Sequence, residues 1–126
     1  MSSPTQRSLK FLRERGYTVG VVERWNPGAK VRQDFLGFAD VLAVHAGEVG
    51  VLAVQVCGGG GGSLAERYRK IVRTPAAHVW LLAGNAILVQ QWVRRPPLKG
   101  KKRIRVELRE QRISINEVLA EAGGRT

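Results

Sequence analysis

Asp40 and Gln55 are the residues of this chain whose type and placement could do chemistry. Asp40 stands inside the apolar run Gly37–Val44, and Gln55 follows fifteen residues later inside the apolar run Val49–Val56. Burying a carboxylate and an amide among aliphatic side chains is costly unless each finds a partner. A metal ion or a reacting group held between them would offset that cost. Cys57, two residues beyond Gln55, is the only cysteine, which excludes an internal disulfide and a cysteine-based zinc site.

The two runs must be strands. They are almost continuously apolar, as central strands with both faces covered are. The short link His45-Ala46-Gly47-Glu48 predicts an antiparallel hairpin. Upstream, Ser3-Pro4-Thr5-Gln6 carries the cap, first-turn proline and glutamine of a helix start, Leu9 and Leu12 repeat at helical spacing, and Gly16 ends the helix. Tyr17–Trp25 reads as a strand and Asn26-Pro27-Gly28 as a turn. Downstream, five glycines (Gly58–Gly62) separate the second run from Ser63-Leu64-Ala65-Glu66, which opens a helix ending near Arg73. That helix has an apolar side (Leu64, Tyr68, Ile71, Val72) and a basic side (Arg67, Arg69, Lys70, Arg73). His78–Ala83 reads as a buried strand, Ile87–Val93 and Ile104–Leu108 as further strands, and Ser114 caps a short helix over about 115–122, closed by Gly123-Gly124. The expected class is α/β: one domain over 1–126, with a central mixed sheet and helices on both faces.

Charge points to the partner. Net charge is +11; residues 1–62 carry seven basic and five acidic side chains, whereas residues 63–126 carry fourteen and five. Arg94, Arg95, Lys99, Lys101, Lys102, Arg103 and Arg105 place seven cations in twelve residues without an acid. This is too irregular for an amphipathic helix and suits a loop or hairpin lying along phosphates. Nucleic acid is the expected partner, ahead of a membrane surface. Trp25 and Trp92, at strand ends, are candidates for stacking on bases; Trp80 reads as core. No apolar run is long enough to span a bilayer, and the first ten residues lack the apolar core of a signal peptide, so a cytoplasmic protein is expected. The glycine run lacks the lysine of a phosphate-binding P-loop.

The order α-β-β-β-α-β, with GFAD on the second strand and QVC on the third, resembles the PD-(D/E)XK nuclease superfamily and its Holliday-junction-resolvase-like branch, which includes phage members. The resemblance runs from about Ser3 to Trp92 and implies a restriction-endonuclease-like core cleaving branched DNA with Mg²⁺ or Mn²⁺, as a homodimer. It makes Asp40 the metal-binding aspartate, with Gln55 in place of the second acid, its side-chain oxygen still a ligand for a hard cation. Cys57 takes the place of the lysine and cannot supply its charge. In some members that lysine comes from the following helix, which makes Lys70 the candidate here, with Arg67 and Arg69 behind it. These cations also suit plain phosphate contacts. A further carboxylate is needed; Glu23 is the stronger choice, with an ordinary salt bridge to Arg24 or Arg32 as its other reading, and Asp34 reads as a turn residue. The glycine run would be a mobile loop beside the site. Two other functions stay open: a catalytically inactive DNA-binding member of the same fold, and a basic RNA-binding domain.

Overall fold

The computed structural model describes residues 3–58 and 63–123, with side chains in the last helix up to Leu119. Gly59–Gly62 and Gly124 lie outside the described residues, and with them the mobile-loop reading and the last glycine of the closing pair. The chain runs α1 (Pro4–Glu14), β1 (Thr18–Val21), β2 (Arg24–Asn26), β3 (Val31–Gln33), β4 (Val41–Val44), β5 (Leu52–Gly58), α2 (Leu64–Val72), α3 (Pro75–Leu82), β6 (Ala86–Arg95), β7 (Arg105–Ile113) and α4 (Ile115–Gly123).

Capping chemistry sets the helix starts. Ser3 Oγ accepts the Gln6 backbone N–H at 3.1 Å and Gln6 Oε1 accepts that of Ser3 at 3.4 Å, a complete capping box. Ser63 Oγ accepts from the Glu66 N–H at the head of α2, and Ser114 and Glu117 form a second reciprocal box at α4.

A five-stranded mixed sheet in the order β1-β4-β5-β6-β7 forms the centre; only β5 and β6 are parallel, joined by the α2–α3 crossover. Strand alternation divides the core. Val41, Ala43, Leu52, Val54, Val56 and Leu88 pack with Leu12 of α1 on one face. Ala53, Ile87, Val89 and Ile113 pack with Leu64, Ile71, Val72, Ala77, Leu81 and Val118 of α2, α3 and α4 on the other. Helices therefore cover both faces, and β4 and β5 are interior strands, as their unbroken apolar runs demand. Gly50, at φ +84°, lies against the Gly84 carbonyl where β5 and β6 begin; a Cβ there would stand 2.3 Å from that oxygen. No described helix is long and apolar enough to cross a membrane.

Three expected strands are corrected. Of Gly37–Val44 only Val41–Val44 is strand, and Gly37–Asp40 form a turn held by the Phe35–Ala39 bridge, with Asp40 immediately before β4. His78–Ala83 is not a strand: it lies in α3, whose start is fixed by Pro75 at the first helical position. Its apolar residues point in all directions, with Ala77 and Leu81 buried but Val79 and Leu82 exposed, so no helical period stands out. Tyr17–Trp25 is not one strand either. The chain leaves the sheet after Val21, because the N–H groups of Val22 and Glu23 both donate to the Asp40 carbonyl, at 3.0 and 3.3 Å. Residues 24–33 then form a separate two-stranded ribbon, β2–β3.

Candidate functional site

Antiparallel register creates the centre of the site. Val41 pairs with Val54, and one step further the Asp40 N–H donates to the Val54 carbonyl at 2.9 Å. Asp40 and Gln55 therefore stand side by side on the face covered by α2. Asp40 Oδ2 accepts the Gln55 Nε2 at 2.7 Å and the Val56 backbone N–H at 2.8 Å.

The ribbon brings the other carboxylates. Glu23 immediately precedes β2 and Asp34 immediately follows β3, so they flank the ribbon base where Arg24 pairs with Gln33. One carboxylate oxygen each from Glu23, Asp34 and Asp40 lies within 4.8 Å of the others. Asp34 returns to Asp40 through a tight loop closed by the Phe35–Ala39 bridge, with Leu36 at φ +56° and Gly37 at φ +84°. A leucine in the left-handed region is sterically disfavoured, and the loop accepts that cost beside the carboxylates. Glu23 is also held by Arg32, Nη1 to Oε1 2.9 Å, so its salt-bridge reading and its place in the cluster both hold. Asp34, expected from sequence to be a turn residue, is a full member of the cluster. The signal that could have found it is Asn26-Pro27-Gly28: taken as the tip of a hairpin, that turn sets Glu23 and Asp34 at one base.

These acids strain one another. Asp40 is 3% exposed. Burial first, then the neighbouring Asp34 and Glu23, push its carboxyl up to about 8 from an ordinary 3.8, against the pull of the Val56 N–H. Gln55, 2% exposed, turns its Nε2 toward Asp40 and, at 3.4 Å, Asp34, while its buried Oε1 has no hydrogen-bond partner among the described residues.

The cations divide by position. Cys57 shares the face of Gln55 and is buried; burial raises its thiol pKa, the Arg67 charge lowers it and Asp40 raises it. On α2, Arg67 is half-buried and its charge acts on Cys57, while Arg32 of the ribbon pairs with Glu23 in the cluster itself. Lys70, Arg69 and Arg73 are exposed on α2, away from its apolar side. On β6 and β7, Trp92 pairs with Leu108 and Arg95 with Arg105, which carries this hairpin past the end of β5, where Gly58 pairs with Trp92. Arg94, Arg95, Lys99, Lys101, Lys102, Arg103 and Arg105, all exposed, lie beyond the end of β5, Arg94 being five residues along β6 from Val89, the partner of Gln55. A groove of about 970 Å³ runs between this hairpin and Arg7 of α1, lined by Arg95, Lys101, Arg103 and Arg105 among others. Arg95 is paired with Glu107 at 2.7 Å.

The tryptophans separate likewise. Trp25 is 58% exposed on the ribbon. Trp92 is not a surface group at a strand end: β6 continues to Arg95, and the indole packs edge-on to Phe11 and donates to Ser8 Oγ at 2.8 Å. Trp80, as expected, packs against the core.

Comparison with known proteins finds no matching family model, no similar curated protein and no matching solved structure. The chemistry of the site itself is what bears on function.

Proposed function

We propose that this protein is a metal-dependent endodeoxyribonuclease that hydrolyses phosphodiester bonds in branched DNA, in the manner of the Holliday junction resolvases its sequence resembles. The observation that carries the reading is the meeting of Glu23, Asp34 and Asp40 around a buried, proton-retaining carboxyl at the sheet end that also bears the basic hairpin.

The residues fit a divalent cation. Three carboxylates within 4.8 Å repel unless a proton or a cation lies between them. A half-turn of the Gln55 amide would exchange its two ends and direct the partnerless Oε1 at the same point. Asp40, Glu23, Asp34 and Gln55 would thus hold Mg²⁺ or Mn²⁺, through all-oxygen ligation suited to hard cations. The ion would polarise the scissile phosphate and lower the pKa of the attacking water.

The chain's own groups do the rest. Arg32 fixes Glu23 in place. Arg67 is the cation we assign to the negative charge that develops on the phosphoryl oxygens, because it is the half-buried cation of α2 and its charge acts on Cys57, which stands where the superfamily has its lysine. Lys70, Arg69, Arg73 and the hairpin cations bind flanking phosphates. A symmetric homodimer would supply the two sites that opposed strands of a junction require.

A second reading, a DNA-binding protein of the same architecture that does not cleave, draws support from the uncharged Cys57 in place of a lysine. Incubating labelled four-way junction with the protein and Mg²⁺, Mn²⁺ or chelator separates them: metal-dependent nicking supports the nuclease, and tight binding without nicking supports the second reading. A clear preference for structured RNA over junction and duplex DNA at fixed salt would overturn both.

A further inference from the structure

The ribbon that positions two of the three carboxylates also carries an exposed tryptophan. Trp25 pairs directly with Arg32 across the ribbon, so both side chains leave the same face. Side chains alternate along a strand, which puts Glu23 on that face with Trp25, and Asp34 with Arg32. The Arg32–Glu23 ion pair at 2.9 Å and the grouping of Glu23 with Asp34 agree with that alternation. One face of one short ribbon therefore presents the carboxylate pair at its base and, on the next rung of that face, Arg32 and the Trp25 indole side by side. Two strand steps take the chain from Glu23 to Trp25, about 7 Å along the ribbon. That span is on the order of a single nucleotide.

We propose that Trp25 is a base-stacking residue that selects DNA with an unstacked nucleobase face next to the scissile phosphate, as at a bulge or at the open branch point of a metal-free junction. The inference rests on the nuclease reading for the place of the phosphate and adds to it the class of substrate recognised. The indole is 58% exposed, two strand steps from Glu23, so its ring is open to a stacking partner. Its position suits a nucleobase because every base offers a face for stacking, whereas bases within an intact duplex are already stacked on one another. Arg24, Lys30 and Arg32 on the same ribbon supply the positive charge that keeps the strand's phosphates close. The backbone favours this task as well. The ribbon hangs from the sheet by the two N–H groups on the Asp40 carbonyl and by the Phe35–Ala39 bridge, so its root is fixed on the carboxylate cluster.

The test measures binding in chelator, where no cleavage can occur, with three fluorescently labelled DNAs at one salt concentration: a perfect duplex, a duplex with a two-nucleotide bulge, and a four-way junction. Trp25→Ala and Trp25→Phe are compared with wild type, and circular dichroism checks that both fold. The expected result for Trp25→Ala is an affinity about 5- to 100-fold lower for the bulged and branched DNAs with duplex affinity unchanged, and recovery of most of that affinity in Trp25→Phe. Equal affinity of Trp25→Ala and wild type for the bulged DNA, an equal drop on all three DNAs, or no binding by wild type would overturn the proposal. Nicking by wild type in Mg²⁺, scored separately, tells whether the nuclease reading stands when the stacking proposal falls.

Discussion

Replacing Asp40 with asparagine should make the metal-free protein more stable at neutral pH, although the substitution is in the buried centre of the sheet. The Asp40 carboxyl is held up to about 8, chiefly by burial and then by Asp34, against 3.8 in the unfolded chain. Between those values the unfolded chain has released this proton and the folded chain keeps it. Asp40's contribution to stability is therefore complete below about pH 4 and is lost as pH rises through about 8. The slope is at most about 1.4 kcal/mol per pH unit, or about 3 kcal/mol from pH 5 to pH 7, and local relaxation reduces it to about half. Asparagine keeps the shape and an oxygen to accept from the Val56 N–H and Gln55 Nε2 but has no proton to lose. Thermal unfolding in chelator at pH 5, 6, 7 and 8 reads the difference between the two proteins, so other titrating groups cancel. The variant's advantage should be smallest at pH 5 and grow to roughly 4–8 °C in Tm by pH 7. Mg²⁺ at pH 7 should raise the Tm of wild type and leave that of the variant nearly unmoved. A Tm difference that does not change with pH would refute the assignment of Asp40 as a proton-retaining carboxyl.

Other outcomes follow from the same geometry. Arg67→Ala should lower the cleavage rate about 100-fold while Lys70→Ala leaves it within about 3-fold, measured by single-turnover nicking of a junction; the reverse order would return the catalytic role to the exposed lysine. Gln55→Glu adds a fourth carboxylate, so its Tm in chelator should fall and its Tm gain with Mg²⁺ should exceed that of wild type, which a metal titration followed by calorimetry checks. Replacing Lys99, Lys101, Lys102 and Arg103 together by alanine should flatten the salt dependence of DNA affinity by up to about 4 in log–log slope, near one unit for each phosphate left unneutralised. An unchanged slope would remove the hairpin from the interface.

The fold is legible wherever the sequence's local signals and its tertiary packing agree. Serine caps with a glutamine or glutamate three residues on locate α1, α2 and α4, and two unbroken apolar runs around a short link locate β4 and β5. The same runs put Asp40 immediately before β4 and Gln55 within β5, and the antiparallel register makes them neighbours. The signals fall silent elsewhere for physical reasons. His78–Ala83 is apolar on every side of α3, so neither a period of two nor one of 3.6 stands out. The ribbon β2–β3 depends on the two N–H groups that turn to the Asp40 carbonyl, a contact across at least seventeen residues that no local pattern encodes. Asp34 reaches the site only because Leu36 and Gly37 take positive φ, and leucine gives no warning of that. The choice between Arg67 and Lys70 turns on which side of α2 meets the sheet, a question of a fraction of a helical turn that composition does not answer.

Nuclease activity centred on Asp40 is tested most simply by nicking of an end-labelled four-way junction by wild type and Asp40→Asn, each with Mg²⁺, Mn²⁺ and chelator, beside their junction affinities in chelator. Wild type should nick only with metal and the variant not at all, with affinities within a few fold because the basic surfaces are intact. Equal nicking by both proteins, or none by wild type despite tight junction binding, would show that Asp40 is not the centre of a nuclease site.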